Sequence, residues 1–398
     1  MKPNYFPIHP IFQQKNLGSD IWWNSVEHIG TPLVIEDNQQ LHCTFLWRRQ
    51  SETESTYIDV YSQSPSIYQQ WNAFQQIENT DISFFEITLP LNWSGSYVLV
   101  TTPDIAPETP EAQLRRKWWI NQLQHYVQVD RLNPYPPYPA QVSRWVNQLH
   151  LGQSQQDSRQ ANLSPVYESI EWHSLHLATT YQVDFYQTAP LTENSPLVIL
   201  LDGQVWSQHL PILQDIQSRT NLGQMDAASY VFLHSINSEQ RCLDYGCRDL
   251  FSQAIVEELI PYIQQNFSLS PSSPVFLCGQ SLGGLCALHS LLLYPTAFQG
   301  LILQSGSYWW SDYSNSDFLN GHTQRFLEVI EHYLQPIPNE TQIFIRTGAY
   351  ETDMREDSQL LYATLSSVRP TQIHTFAGGH DAINWKYDLV DTLQTLIS

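Results

Sequence analysis

A serine lies between two glycines in Gly279-Gln280-Ser281-Leu282-Gly283, after the short apolar run Val275-Phe-Leu-Cys278 and before a second apolar stretch. The first run is typical of a buried strand and the second of a helix. Gly-x-Ser-x-Gly between a strand and a helix predicts a nucleophile elbow, a sharp turn that exposes a serine hydroxyl in a strained backbone conformation. We expect Gly279 and Gly283 to be glycines because a turn this tight leaves no room for a Cβ. Ser281 is the candidate nucleophile.

A serine hydroxyl needs a general base, and the base needs a carboxylate that orients it. In chains with this elbow the order is serine, acid, histidine. The histidines after Ser281 are His289, His322, His332, His374 and His380. His380 is the predicted base because it lies in a glycine-containing loop, Ala377-Gly-Gly-His-Asp381, directly after the last predicted strand.

The acid should follow the preceding strand, predicted at 342–347. Glu351 comes three residues after Gly348 in the loop that follows, and it is the predicted acid. Asp353 in the same loop is the alternative. Asp381 is a weaker third choice because side chains of adjacent residues seldom face each other.

The tetrahedral intermediate of ester hydrolysis needs two backbone N–H donors for its oxyanion. The residue after the nucleophile, Leu282, supplies one. The other comes from the loop after an early strand, which predicts the N–H of Gln204 in Leu200-Leu-Asp-Gly-Gln-Val-Trp206.

Two kinds of sequence pattern predict the structural elements of the chain. Short strand-like segments between residues 30 and 102, separated by turn residues, predict a small all-β sandwich of immunoglobulin-like type. Further along, apolar strands alternate with helices, which indicates a mostly parallel sheet flanked by helices, the α/β-hydrolase architecture. The predicted strands are 41–47, 56–61, 82–88 and 95–100 in the first part and 196–201, 228–234, 301–305, 342–347 and 372–376 in the second, with a helix at 249–265. A polar segment between the two parts predicts an N-terminal β-sandwich domain at 1–150, a linker at 151–166 and a hydrolase domain at 167–398.

Charge and cysteine content narrow the function classes. A formal net charge of −21 over 398 residues argues against a nucleic-acid partner, because a phosphate-binding surface needs a basic patch. The basic run Arg115-Arg116-Lys117 fits a solvated helix face. Five cysteines without a Cys-x-x-Cys pair, no signal-peptide pattern and no long apolar run predict a cytoplasmic protein without a membrane segment.

The chain resembles the enterochelin (enterobactin) esterase family in both parts. The shared motifs of the first part are Trp93-x-Gly-Ser-Tyr97 and Asp130-x-Leu-Asn-Pro134. Those of the second part are Leu-Leu-Asp-Gly-x-x-Trp at 200–206, Gly-Gln-Ser-x-Gly-Gly-Leu at 279–285, Gln304-Ser-Gly-Ser-Tyr-Trp-Trp310, Gly348-x-x-Glu351 and Gly378-Gly-His-Asp-Ala382 with Trp385.

The resemblance implies a serine esterase that opens the triserine lactone of a ferric catecholate siderophore. It implies no cofactor and no resident metal, since iron arrives with the substrate. Arg241 matches an arginine of the family and is the predicted substrate contact, with Trp206, Trp309 and Trp310 as flat neighbours for catechol rings. Two positions depart from the family pattern: its Arg-x-x-Glu is Arg241-Cys-Leu-Asp244, and Tyr350 replaces an arginine before the acid.

Two other functions fit the same residues. The elbow also serves carboxylesterases for other acyl or hydroxycinnamoyl esters. The third hypothesis is a non-catalytic siderophore-binding protein. The presence of Ser281, Glu351 and His380 argues against it.

Overall fold

The computed structural model describes residues 7–67, 69–140, 143–151, 166–334, 336–367 and 369–398. They belong to two compact units, residues 1–156 and residues 157–398. The linker predicted at 151–166 lies outside the described residues except for its first and last positions. The domain bounds therefore stay predictions.

The N-terminal unit contains two antiparallel sheets. Its strands are β1 (Leu33–Asp37), β2 (Gln40–Arg48), β3 (Ser55–Val60), β4 (Gln75–Gln76), β5 (Ile82–Pro90), β6 (Ser94–Thr102), β7 (Val127–Gln128) and β8 (Asn147–His150). One sheet has the order β1-β2-β5-β4, and the other has the order β3-β6-β7 with β8 against β6. The predicted β module is confirmed, and the four predicted strands are β2, β3, β5 and β6, but the unit is not all-β because it also contains two helices.

Apolar side chains fill the space between these sheets. Phe45 of β2 and Tyr97 of β6 are fully buried, with ring centroids 4.9 Å apart in an edge-to-face arrangement. Ile58 and Leu99 belong to the same cluster. Burying each such side chain contributes roughly 1.5–3 kcal/mol, so this cluster holds the two sheets together.

Two helices accompany the sheets, α1 (Asp20–Ile29) and α2 (Ala112–His125). The basic run lies on α2, where Arg116 and Lys117 are exposed as predicted. Arg115 is buried, and the expectation of a solvated side chain is wrong for this residue. Its guanidinium carbon lies 4.0 Å from the ring centroid of Trp71, and its Nε donates to the carbonyl oxygen of Ile67 at 3.0 Å. A planar guanidinium can be buried in this way because an aromatic face attracts its charge.

The second unit is built on one eight-stranded sheet. Its strands are β9 (Glu168–Ser174), β10 (Thr179–Gln187), β11 (Leu197–Leu201), β12 (Ser229–Leu233), β13 (Val275–Gln280), β14 (Gly300–Gln304), β15 (Gln342–Gly348) and β16 (Thr371–Phe376). The order is β16-β15-β14-β13-β11-β12-β10-β9. Strands β11 to β16 pair in parallel, and β9 and β10 add an antiparallel edge. The predicted α/β-hydrolase fold is confirmed.

Helices cover this sheet. They are α3 (Leu213–Asn221), α4 (Ser238–Tyr245), α5 (Asp249–Ala254), α6 (Ile260–Asn266), α7 (Leu282–Leu293), α8 (Phe326–Val329), α9 (Thr352–Ser366) and α10 (Ala382–Leu396). A π-helical turn at Ile255–Leu259 joins α5 to α6, so the helix predicted at 249–265 is continuous. Among the described residues, no helix has the length and apolar character that a membrane span requires.

The central strands are buried on both faces. In β11, Leu197, Ile199 and Leu201 pack into one apolar cluster, while Val198 and Leu200 pack into a second cluster on the other face. This burial is what a parallel sheet between two helical layers requires. The loops that follow the parallel strands all leave at one edge of the sheet, where the sites of such folds form.

Candidate active site

Ser281 joins the end of β13 to the start of α7. Its backbone φ is 55°, in the left-handed region that few non-glycine residues adopt. A Cβ on Gly279 would lie 2.1 Å from the carbonyl oxygen of Gly283, so the close approach of strand and helix requires glycine there. A Cβ on Gly283 would lie 3.6 Å from the Cβ of Leu201, an ordinary contact. The prediction that Gly283 must lack a Cβ is wrong. The carbonyl group of Gly283 excludes a Cβ on Gly279, but a Cβ on Gly283 itself would make only ordinary van der Waals contacts.

A chain of hydrogen bonds joins the three residues that the sequence singled out. His380 Nε2 lies 3.1 Å from Ser281 Oγ, and His380 Nδ1 lies 2.6 Å from Glu351 Oε1. An ionised carboxylate only accepts hydrogen bonds, so Nδ1 carries the proton and Nε2 is left to accept from the serine hydroxyl. This tautomer is the one that a general base beside a serine needs.

Glu351 is fixed by contacts to its second oxygen. Oε2 accepts from Ser305 Oγ at 2.6 Å and from the backbone N–H of Gly348 at 2.5 Å. Ser305 Oγ in turn accepts from Trp385 Nε1 at 3.0 Å. The Trp385 ring also packs edge-on against the His380 ring, with centroids 4.6 Å apart. The acid and the imidazole are therefore supported by the same tryptophan.

The two other carboxylates considered from the sequence are placed elsewhere. Asp353 is exposed in the first turn of α9. Asp381 caps α10, accepting from the backbone N–H of Ile383 at 3.0 Å. The carboxylate in contact with His380 is that of Glu351.

The predicted oxyanion donors lie on two neighbouring segments. Leu282 is the first residue of α7, where backbone N–H groups lack partners within the helix. Gln204 lies in the loop after β11, which continues directly into a π-helical turn at Val205–His209. Its side chain is held by Ser235: Nε2 donates to Ser235 Oγ at 2.7 Å, and Oε1 accepts from Ser235 N at 3.0 Å. A Cβ on Gly283 would also lie 3.8 Å from Asp202 Oδ2, which places the start of α7 beside this loop.

Arg241 fastens the same loop. Its Nε and Nη2 each donate to one carboxylate oxygen of Asp202 at 2.7 Å. Burial would lower the pKa of Arg241, but the Asp202 carboxylate outweighs this effect and raises it. The predicted role as a substrate contact is not supported by this position, because the charge is already paired inside the protein.

Asp184 of β10 holds the loop from another side. It accepts from Ser207 Oγ at 2.6 Å, from Gln208 Nε2 at 3.0 Å and from His234 Nε2 at 2.9 Å. Burial would raise the pKa of Asp184, but the hydrogen bonds from His234 and from serine hydroxyls lower it to about 2. The carboxylate is therefore charged near neutral pH and orders the loop that carries Gln204.

The three predicted tryptophans differ in exposure. Trp206 is 1% exposed, and its Nε1 donates to the carbonyl oxygen of Leu201, so it is a core residue and not a neighbour of a ligand. Trp310 is half-buried, with Nε1 donating to the carbonyl oxygen of Asp312 at 2.6 Å. Trp309 is 51% exposed and presents a free aromatic surface.

Sequence reasoning gave no role to four residues that organise the site. Ser305 and Ser307 belong to the quoted Gln-Ser-Gly-Ser motif, and Ser307 Oγ lies 3.5 Å from Ser281 Oγ. Asp202 lies in the loop for which the sequence predicts only the Gln204 donor. Asp184 lies in a strand that was not predicted. The sequence offered a signal only for the two serines, which lie in the motif. Asp202 and Asp184 act through partners that are distant in the chain.

The fold and the geometry together define an α/β-hydrolase of the esterase class. The family model described as "Putative esterase" matches residues 174–396, and the model described as "Enterochelin esterase, N-terminal" matches residues 42–160. An iron(III) enterobactin esterase of Escherichia coli O6:H1 is 30% identical over 395 residues, which cover 95% of this chain and 96% of that protein. The chain belongs to the enterochelin (enterobactin) esterase family.

Two further comparisons agree with this assignment. An iron(III) enterobactin esterase of Dickeya dadantii is 28% identical over 426 residues, covering 98% of this chain and 96% of its own length. A crystal structure of the enterobactin esterase from Shigella flexneri in the presence of enterobactin has a TM-score of 0.81 and 27% identity, covering 96% of this chain and 98% of that chain. The likeness therefore spans both units.

Proposed function

We propose that this chain is a serine esterase that hydrolyses the triserine-lactone esters of ferric enterobactin or a related catecholate siderophore. The observation that carries the proposal is the contact chain from Glu351 through His380 to Ser281, at 2.6 Å and 3.1 Å, in a chain with full-length similarity to iron(III) enterobactin esterases. The structure of the Shigella flexneri protein in the presence of enterobactin supports the substrate class.

In the proposed first step, Ser281 Oγ attacks an ester carbonyl carbon while His380 Nε2 takes the hydroxyl proton. The carbonyl oxygen becomes an oxyanion, which the backbone N–H groups of Leu282 and Gln204 stabilise. Each such donor contributes about 10²- to 10³-fold to the rate. Glu351 keeps the imidazole oriented and stabilises its positive charge.

The intermediate then collapses. The bond to the leaving serine oxygen of the lactone breaks, and His380 gives its proton to that oxygen. Water next attacks the acyl group on Ser281 with His380 again as the base, which releases a linear product with one new carboxylate and one new hydroxyl. Repeated turnover would shorten the product and weaken its hold on iron.

We infer that the ferric complex is the form processed, in the cytoplasm. Iron is here part of the substrate. All five cysteines of the sequence are free thiols, which suits a reducing compartment. Among the described residues, no group of three or more His, Cys, Asp and Glu side chains is placed to hold a metal ion.

Covalent labelling tests whether nucleophile and siderophore share one site. A fluorophosphonate should modify Ser281, as read by peptide mass spectrometry, and saturating ferric enterobactin should slow that modification. Glu351→Gln should also slow it, because the imidazole loses its orienting partner.

Other outcomes separate the alternatives. No labelling of Ser281 would contradict the proposed nucleophile. Protection by ferric enterobactin without any product would fit a siderophore-binding protein. Labelling that the siderophore leaves unchanged would favour an esterase for another acyl or hydroxycinnamoyl ester.

A further inference from the structure

The proposed substrate poses a charge problem. Iron(III) bound by three catecholates is a trianion, whereas the iron-free siderophore with protonated catechols is uncharged. The chain carries a formal net charge of −21, which repels an anion at long range. A cation near Ser281 must therefore offset this repulsion if the ferric form is to be preferred.

Most cations of the hydrolase unit are already paired. The described residues of this unit, 166–334, 336–367 and 369–398, contain eight Lys and Arg side chains. Six of them lie in ion pairs with carboxylates: Arg219 with Asp391, Arg241 with Asp202, Arg248 with Asp244, Arg325 with Asp357, Arg346 with Asp388 and Lys386 with Asp215. Arg369 donates to the carbonyl oxygen of Leu334 and to Asn339 Oδ1.

Arg355 differs from the six cations that lie in ion pairs. Within the part of the unit that the structure describes, it has no carboxylate at ion-pair distance. One N–H, at Nη1, donates to the carbonyl oxygen of Ala349 at 3.1 Å. A guanidinium has five N–H donors, so most of its capacity and its whole charge stay available to a ligand.

The position of Arg355 directs that charge toward the site. The residue lies in the first turns of α9, and helical side chains tilt toward the N-terminus of their helix. The contact with Ala349 confirms this direction, because Ala349 lies in the loop between β15 and Glu351. Glu351 itself contacts His380, so the guanidinium lies at the edge of the sheet that carries the serine.

Aromatic surface is present at the same edge. Tyr350, in the loop that Arg355 contacts, is 40% exposed. Trp309 is 51% exposed in the loop after β14, the strand between β13 and β15. Flat side chains beside a cation suit a ligand made of anionic catechol rings.

We propose that Arg355 is a specificity-determining residue that binds the anionic iron–catecholate centre and makes the enzyme prefer the ferric siderophore over the iron-free one. The inference rests on the proposed function. It assigns Arg355 to substrate binding, separate from the bond-breaking step.

The test compares kcat/KM for ferric and iron-free enterobactin, which share the same ester bonds and differ in charge. Arg355→Gln should lower the ferric-to-free ratio by about tenfold or more, the loss expected for one charge-assisted contact. Arg355→Lys should recover part of that ratio. The decrease of ferric kcat/KM with added salt should be shallower in Arg355→Gln than in the wild type.

Arg219→Gln is the matched control. It removes the same charge from the same unit, but Arg219 lies at the C-terminal end of α3, paired with Asp391 of α10. Its ferric-to-free ratio should stay within about twofold of the wild type, as expected for an exposed ion pair.

Three outcomes would overturn the inference. A loss of equal size on both substrates would show that Arg355 only supports the loop through Ala349. Equal effects of Arg355→Gln and Arg219→Gln on the ferric-to-free ratio would show that the ratio depends only on the net charge of the protein. If the wild-type chain leaves both siderophores intact, the proposed function fails and the inference falls with it, whereas turnover that Arg355→Gln leaves unchanged refutes the inference alone.

Discussion

His380 depends on Glu351 for its tautomer. The carboxylate accepts the Nδ1 proton at 2.6 Å, and its other oxygen is held by Ser305 and Gly348. Without that acceptor the imidazole could carry its proton on Nε2 and lose its capacity as a base.

Replacing Glu351 by glutamine should therefore lower kcat by about 10³- to 10⁴-fold with little change in fold. The matched control is Asp353→Asn, two residues away and exposed, which should keep kcat within about twofold of the wild type. Steady-state kinetics on ferric enterobactin would check both. A larger loss for Asp353→Asn than for Glu351→Gln would refute the assignment of the acid.

Residues that act locally were predictable, and those that act through distant partners were not. Ser281, Glu351 and His380 each follow a strand at a spacing that the sequence displays. Arg241 lies on α4, and its partner Asp202 lies 39 residues earlier in the chain. A single sequence contains no sign of such a pair, and the family resemblance alone assigns the Arg241 guanidinium to a ligand.

Arg241 should contribute more to the stability of the protein than to the binding of an anionic substrate. Arg241→Gln leaves the largely buried Asp202 carboxylate unpaired and should lower the free energy of unfolding by about 3 kcal/mol. The double variant Arg241→Gln/Asp202→Asn should recover most of that loss, because no buried charge remains. Urea unfolding of the single and double variants would measure this. Additive losses in the double variant would contradict the pairing.

The elbow between β13 and α7 makes different demands on its two glycines. Gly279→Ala should destabilise the protein by more than about 3 kcal/mol or prevent folding, because a Cβ would overlap the Gly283 carbonyl. Gly283→Ala should be tolerated and could stabilise α7 by up to about 1 kcal/mol through helix propensity. Expression and thermal unfolding of the two variants would check this. Similar damage from both substitutions would contradict the packing described here.

Periodicity predicted the central elements well. The apolar runs at 196–201, 228–234 and 301–305 correspond to β11, β12 and β14 within one or two residues at each end. The hairpin of β9 and β10 was missed. Its strands mix buried and exposed positions at the antiparallel edge of the sheet, where the apolar signal is weak.

One buried carboxyl group in each unit should make stability depend on pH, and the two dependences should have opposite signs. The group in the N-terminal unit is Asp130. Burial raises the pKa of Asp130 to about 6, against partial compensation from hydrogen bonds donated by Tyr97, Leu132 and Thr31. The folded unit holds the proton more tightly than the unfolded chain. The stability that Asp130 contributes is therefore fully present below about pH 4 and is lost, by up to about 3 kcal/mol, as the pH rises through 6. Asp130→Asn should remove most of this dependence.

The contribution of Asp184 to the stability of the hydrolase unit depends on pH with the opposite sign. Its pKa of about 2 lies below the usual range, so its contribution is present above about pH 4 and is lost as the pH falls toward 2. The loss should be about 2 kcal/mol and absent in Asp184→Asn. Hydrogen exchange read separately on peptides from β6 and β10 would follow each unit. Parallel pH trends in the two units would contradict both assignments.

Hydrolysis of ferric enterobactin is the most direct measure of the whole account. The purified chain and its Ser281→Ala variant would each be incubated with the ferric siderophore, and linear products quantified by mass spectrometry. We predict linear products from the wild type and a rate at least about 10³-fold lower from Ser281→Ala, with the siderophore left cyclic. No cleavage by the wild type, or equal cleavage by both proteins, would contradict it.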